Sequence, residues 1–351
     1  MSEPPLAERL ARLIRATGPI SLSVWMAEAN RAYYAARDPF GQAGDFITAP
    51  EISQMFGEMI GIWCADVWAR AGAPARVLYV EPGPGRGTLA RDALRVMARF
   101  GLAPEVHFVE TSPLLRAAQA GLVPGARWHE SLADVPEDAP MLLVANEFLD
   151  ALPLRQLVRT PLGWRERLVG LGADGGFVPV AGQMPMDAAV PPAFAAAPAG
   201  TIVESSPAAS AVMAEIARRL AAQGGAGLVI DYGHGASQAG SSLQALRHHA
   251  PADPFAHPGE ADLTWLIDFA AMAEVAAAHG ARVVGVAGQG AFLGAMGIAQ
   301  RAEALTRAAP QRAGEIAAAL HRLTDEDQMG SLFKVLGLAG GGWPEGAGLA
   351  A

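Results

Sequence analysis

The stretch VLYVEPGPGRGTLARDALR, residues 77–95, passes from an apolar run through three glycines and two prolines into an amphipathic segment. Val77, Leu78, Tyr79 and Val80 have the character of a buried strand, whereas Leu89, Ala90, Ala93, Leu94 and Met97 recur at helical spacing. Gly83, Gly85 and Gly87 therefore form a strand-to-helix turn. Such a turn lets a ligand lie against bare backbone at a helix N-terminus, where a side chain would stand in the way.

Working outward, the apolar runs at 77–81, 105–110, 141–147, 228–231, 282–286 and 332–336 read as strands, and helices follow most of them. That order predicts an α/β fold, a Rossmann-like sheet that is parallel and doubly wound with helices on both faces. Residues 5–72 read as helical, with Ser21 and Ser23 as caps for a helix through Tyr34 and a third helix from near Pro50 to Trp68. Between these helices the loop DPFGQAGDFITAPE carries Phe40, Phe46 and Ile47, apolar residues that suit a segment folded back as a lid. The segment 154–203 breaks the rhythm. It opens as a hairpin, LRQLVRTPLGWRERLVGL, turning at 160–163, and continues as irregular, proline-rich chain. A further helix is expected over 263–279. The expected organisation is a helical cap with lid loop at 1–72, a catalytic sheet domain at 73–153 and 204–340, and an inserted subdomain at 154–203 on the substrate side.

Composition narrows the classes. A net charge of -9 over 351 residues argues against a general nucleic-acid binder, which needs a concentrated positive surface. The only cysteine, Cys64, rules out an internal disulfide and a cysteine-built zinc site, and suits a reducing compartment. No run approaches the ~20 apolar residues of a membrane span. The N-terminal SEPPLAERLARLIRAT carries Arg9, Arg12 and Arg15, but Glu3, Glu8 and the stripe Leu6, Leu10, Leu13, Ile14 make it a core-facing helix rather than a transit peptide. The expected setting is a bacterial cytoplasm, or the mitochondrial matrix in a eukaryote. No acid and histidine cluster has metal-ligand spacing, and Ser205-Ser206 and Ser241-Ser242 lack a nucleophile elbow, so neither a metal nor hydrolase chemistry is expected. Homo-oligomerisation is left open.

The glycine turn alone would also suit a dinucleotide. Glu110 ends the second predicted strand 23 positions after Gly87, where an acid can accept both ribose hydroxyls of a nucleoside. Glu81 separates the two ligand classes by charge. Directly beside the turn, it would repel a pyrophosphate and attract the ammonium and sulfonium of S-adenosylmethionine. At ~4 Å the attraction amounts to about 4 kcal/mol at the effective dielectric near a protein surface. The residues therefore favour S-adenosylmethionine, with S-adenosylhomocysteine as product, over NAD.

The ordered series GDFITAPEISQMFGEMIGIW (44–63), EPGPGRGTLARDALR (81–95), VETSPLLRAAQ (109–119), ANEFLDALPLRQ (145–156), LVIDYGH (228–234) and DPFAHPGEADLT (253–264) resembles the MidA-type S-adenosylmethionine-dependent methyltransferases. The match runs from about residue 5 to 337. The resemblance implies a Rossmann-like methyltransferase with Gly83, Gly85, Gly87 and Glu110 at the cofactor, and with GDFITAPE, Thr48 included, roofing it. Because the family includes a mitochondrial complex I assembly factor that methylates an arginine, it also implies a protein partner: a respiratory complex I subunit or its bacterial counterpart. One departure is TWLIDF at 264–269, where many bacterial relatives carry a histidine.

An arginine acceptor has a delocalised lone pair and a pKa near ~12.5–13.8, so carboxylates must localise its charge and accept its proton. Asn146 and Glu147 fall at the carboxyl end of the third predicted strand, where open sheets bind ligands. Glu147 is the candidate guanidinium anchor, Asn146 a polar positioner also next to the cofactor, and Asp150 a weaker partner. Glu51, Asp45, Asp231, Glu260 and Asp262 together suit an acidic mouth for a cationic peptide, and His234 and His257 are the nearest histidines. Two other readings stay open: a small-molecule O-, N- or C-methyltransferase, and a non-catalytic assembly factor that holds the cofactor.

Overall fold

A computed structural model of the chain describes residues 4–36, 48–247 and 250–349. The lid candidates Phe40, Asp45, Phe46 and Ile47 lie outside the described residues. The chain forms two compact units, one from Met1–Arg37, Asp150–Ala211 and Ser237–Asp268, the other from Asp38–Leu149, Val212–Ala236 and Phe269–Ala351. Compactness thus groups the chain otherwise than the three sequence segments do. The first helices join the inserted segment, and the helix after Ser53 joins the sheet.

Among the described residues the larger unit is built on seven strands: β1 (Leu78–Pro82), β2 (Glu105–Val109), β3 (Arg127–His129), β4 (Met141–Asn146), β5 (Gly225–His234), β6 (Arg282–Gly288) and β7 (Phe333–Ala339). Their spatial order is β6-β7-β5-β4-β1-β2-β3. β1 and β4 are buried along their whole lengths, as the near-continuous apolar runs of a sheet covered on both faces require. The neighbouring pairs from β3 to β5 are parallel, as expected. The all-parallel expectation fails at β7, which runs antiparallel to both β5 and β6. An apolar run fixes burial but not direction, and β7 enters between two earlier strands rather than at an edge. β3 also went unrecognised, because its three residues, Arg-Trp-His, carry no apolar run.

Two helices set the position of the glycine turn. The expected single helix from Pro50 is two, Ala49–Ile52 and α1 (Gln54–Arg70). They are separated by Ser53, whose extended backbone lets its hydroxyl accept from the Met55 N–H at 3.2 Å and cap α1. α2 (Thr88–Arg99) buries Leu89, Ala90, Ala93, Val96 and Met97 and starts from Gly87 in the left-handed conformation. α1 closes onto α2 at Gly57 and Gly61. A Cβ at Gly61 would lie 2.5 Å from the Ala93 carbonyl oxygen, and one at Gly57 2.8 Å from Asp92 Cβ. Gly61→Val should therefore force the helices apart, destabilise the protein by about 1–3 kcal/mol and lower Tm by several degrees. A thermal melt checks this; an unchanged Tm would show that the seam yields freely. Beside the seam the buried Glu58 accepts from Arg95 at 2.9 Å and from Arg301 at 2.6 Å.

The smaller unit contains the helices Leu6–Thr17 and Leu22–Ala36 and an antiparallel sheet. Ser21 caps the second helix by accepting from the Val24 N–H at 3.1 Å, whereas Ser23 instead donates to the Leu154 carbonyl at 2.8 Å. The predicted hairpin pairs Arg155–Thr160 with Gly163–Leu171, Thr160 opposite Gly163. Phe177–Pro185, expected to be irregular, is a strand. It pairs on one side only, with Gly163–Leu171, and an edge tolerates its prolines. The helix expected from residue 263 begins at Phe269, because Asp262–Thr264 pairs with Gln244–Arg247 instead. Among the described residues no helix is long and apolar enough to cross a membrane.

Candidate functional site

β1 and β4 lie side by side, so their carboxyl ends bring Glu81 and the pair Asn146-Glu147 to one place. A cavity of about 40 Å³ opens there. Thr48, Glu51, Glu81, Gly83, Asn146 and Glu147 line it, together with Gly85 and Thr88. Seven of the residues expected from the sequence at cofactor or acceptor, or flanking the lid, thus share one lining. Gly87 caps α2 beside it. Glu110 and Asp150 are absent from the lining.

Gly83, Gly85 and Gly87 all have positive φ, at 63°, 54° and 86°. The turn is tight enough that a Cβ at Gly83 would lie 2.7 Å from the ring of Phe148, the residue after Glu147. Gln119, on α3 (Pro113–Leu122), holds the turn from outside. Its Nε2 donates to the Gly85 carbonyl at 2.7 Å and to Glu110 at 3.3 Å, while its Oε1 accepts from Trp128 Nε1 at 2.8 Å. Gln119 is fully buried and ties the glycine turn to the acid at the end of β2. Sequence reasoning missed it. The available signal was a lone amide at i+4 from the buried Leu115 on an otherwise apolar helix face. Burial raises the Glu110 pKa, and hydrogen bonds from the Ser112 backbone and Gln119 act against that rise.

Glu81 is 2 % exposed, and its one described side-chain partner is the Tyr79 hydroxyl, which donates at 2.7 Å. Burial raises its pKa to about 8, only partly offset by that hydrogen bond. Behind it the buried Cys64 thiol is itself pushed up by burial and by the Glu81 charge, which leaves it inert as a nucleophile. A carboxyl group so placed gains most from a cation that displaces its proton. Asn146 donates from Nδ2 to Glu147 Oε1 at 3.2 Å, while its buried Oδ1 has no hydrogen-bond partner among the described residues. An orphaned acceptor beside a buried acid, on a glycine turn without side chains, fits the amino end of S-adenosylmethionine. The residues present therefore suit that group.

Glu147 adopts φ of 49°, a conformation that non-glycine residues rarely take and that collects at functional sites. Two neighbouring hydrogen bonds hold it. Its own N–H donates to the Ile230 carbonyl at 2.8 Å, and the Leu149 N–H donates to Asp231 Oδ2 at 2.9 Å. Asp231, expected at an acidic mouth, is fully buried and serves this turn instead. Protein atoms crowd the Glu147 carboxyl group and raise its pKa to about 7, with the Ala49 N–H, donating at 3.2 Å, pulling the other way. A carboxylate poised near neutrality suits proton transfer.

The remaining candidates lie elsewhere. Asp150 belongs to the smaller unit, where it is buried; burial above all, and then the charges of Asp262 and Asp150, raise the Tyr34 pKa. Asp262 accepts from the Tyr34 hydroxyl at 3.1 Å, and Glu260 pairs with Arg247 at 2.6 Å. Both belong to the smaller unit and Glu51 to the larger, and Asp45 is outside the described residues. His257 is also in the smaller unit, and His234 ends β5; neither lines the cavity. Glu51 itself accepts from the Thr88 hydroxyl at 2.5 Å. A grouping with metal-ligand character, His321, Asp325 and Asp327, is exposed and is not part of this lining, with His321 and Asp325 paired at 2.6 Å.

Comparisons with known proteins agree with this geometry. Residues 59–287 match the family described as "Putative S-adenosyl-L-methionine-dependent methyltransferase". The chain is 36 % identical to the Drosophila melanogaster protein arginine methyltransferase NDUFAF7 homolog, mitochondrial, over 95 % of this chain and 84 % of that one. It is 33 % identical to Danio rerio protein arginine methyltransferase NDUFAF7, mitochondrial, over 94 % and 85 %. A crystal structure of a Burkholderia thailandensis protein bound to S-adenosyl-homocysteine superposes with a TM-score of 0.83 at 26 % identity, covering 99 % of this chain and 97 % of that one. With its sheet order, its glycine turn and this match over most of its length, the chain belongs to that family of S-adenosyl-L-methionine-dependent methyltransferases.

Proposed function

We propose that the protein transfers a methyl group from S-adenosylmethionine to an arginine guanidinium of a protein substrate, and that Glu81, the glycine turn, Glu110 and Thr48 hold the cofactor while Asn146 and Glu147 serve both sides of the reaction. The observation that carries this reading is Glu147: a strained, hydrogen-bonded carboxyl group with a pKa of about 7 on the same lining as the buried acid Glu81. Supporting it, relatives over most of the chain are named protein arginine methyltransferases.

The cofactor supplies an electrophilic methyl carbon with a good leaving group, so the protein's task is alignment, charge localisation and proton removal. Glu81 would neutralise the ammonium of a bound cofactor, and Asn146 Oδ1 would accept a hydrogen bond from it. Glu147 holds the guanidinium from one side and concentrates positive charge there, which leaves the far nitrogen richer in electron density. No group with a pKa near 7 can deprotonate a free guanidinium. The proton becomes acidic only as the nitrogen lone pair enters the new N–C bond, and at that point Glu147 is basic enough to take it.

The partner on this reading is a respiratory complex subunit in the mitochondrial matrix or its bacterial counterpart in the cytoplasm, as the relatives' names suggest. The direct test uses S-adenosylmethionine labelled in the methyl group with candidate respiratory subunits, followed by hydrolysis and amino-acid analysis. Label in methylarginine is the expected result. Label confined to lysine, or to small molecules, would remove arginine as the acceptor.

A further inference from the structure

The larger unit contains a second cavity, of about 390 Å³, which shares Pro50, Glu51 and Thr88 with the lining of the small one. Its size falls within the ~300–1,000 Å³ of ligand sites. Ile52, Leu305, Ala309, Ile316 and Ala319 give it an apolar wall. Four charged groups face it, and two of them are cations that are already matched. Arg91 pairs with the buried Asp92 at 2.9 Å, and Arg312 pairs with Glu315 at 3.0 Å. The fourth, Glu51, has only the Thr88 hydroxyl as its hydrogen-bond partner among the described residues. Arg91 lies close enough to feel the Glu51 charge but is committed to Asp92. Two arginines and two glutamates leave the lining formally neutral, but Glu51, at the wall that the two cavities share, is the one of the four without an ion-pair partner among the described residues.

From this geometry we propose that the second cavity holds the acceptor: a peptide segment whose arginine passes Glu51 to reach Glu147 while a neighbouring apolar side chain lies on the wall of Leu305, Ile316 and Ala319. Glu51 is then the acceptor-binding residue that selects a cation at the entrance. An anionic segment would meet the Glu51 carboxylate and find Arg91 and Arg312 already paired. This placement rests on the arginine reading above, and the test separates the two.

The probe is a synthetic peptide of one arginine flanked by leucine and valine, with methylation followed by label transfer and S-adenosylhomocysteine affinity by calorimetry. Ala319→Trp and Ala309→Leu fill the cavity from a wall the small cavity does not share. Both should raise the peptide KM by about tenfold or more while S-adenosylhomocysteine affinity stays within about twofold of wild type. Glu51→Gln should also raise the peptide KM, by about tenfold, through loss of one charge-assisted contact. Thermal melts show which variants remain folded, and either wall variant alone suffices. Wild-type KM in the folded wall variants overturns the placement and leaves the arginine reading intact. Loss of S-adenosylhomocysteine affinity in step with KM also overturns it, because the cavity is then part of the cofactor site. A wild-type protein that neither binds nor methylates the peptide overturns the arginine reading, and the placement falls with it.

Discussion

Glu147→Gln should slow methyl transfer to an arginine peptide by about 10²–10⁴-fold at pH 8, the usual weight of a positioned proton acceptor. Glutamine keeps the shape and can still accept from the Ala49 N–H, so the loss reports charge and basicity rather than collapse of the turn. The pH dependence follows from the raised pKa of about 7. Below it Glu147 is protonated and can neither anchor a guanidinium nor take its proton. In the wild type kcat should therefore climb about tenfold per unit below pH 6, bend near 7 and level above 8. The variant should lose that bend. A flat wild-type profile from pH 6 to 8, or a variant within threefold of wild type, would take Glu147 out of the chemistry.

Glu81→Gln should have opposite effects on binding and on stability. An unfolded glutamate has a pKa of about 4.3, whereas Glu81 in the folded, ligand-free protein sits at about 8 because burial disfavours its charge. A raised acid pKa means the folded state binds the extra proton. The contribution to stability is thus fully present below about pH 4.3 and is lost progressively as pH rises to about 8. At pH 7 to 8 this group costs the ligand-free fold on the order of a few kcal/mol. Glutamine, neutral at every pH and still able to accept from Tyr79, removes that cost. Tm should rise by several degrees at pH 8 and hardly change at pH 4.5. S-adenosylhomocysteine affinity, by contrast, should fall by about tenfold to a hundredfold at pH 8, because its ammonium loses a buried counter-charge. Calorimetry and melts at the two pH values check both halves. An unaltered affinity, or a variant less stable than wild type at pH 8, would show that Glu81 does not hold the cation.

The features legible in the sequence are those written in adjacent residues. The glycine turn, Glu81 before it and Asn146-Glu147 after an apolar run all follow from strand-end rules, and the structure sets them on one lining. What depends on distant pairing was not legible. Gln119 matters only because α3 carries it back to Gly85, and no local pattern shows that return. Asp231 looked like a ligand-facing acid because it ends a strand core, yet β5 runs on to His234 and turns that carboxylate onto the Leu149 N–H. Asp150 stands three residues from Glu147 but belongs to the other compact unit. The prolines of Phe177–Pro185 hid a strand that an edge accommodates.

The reversed strand β7 also governs the order in which the sheet can be completed during synthesis. β5 leaves the ribosome about a hundred residues before β7, a delay of roughly 5 to 20 s at bacterial and eukaryotic elongation rates. Throughout that interval the rim of β5 reserved for β7 waits for its occupant, and β6, which reaches the sheet through β7, has nowhere to dock. The nascent chain thus carries a vacant, strongly apolar ladder while the cofactor crevice on β1 and β4 is already translated, and any chaperone serving this protein has its task at that rim.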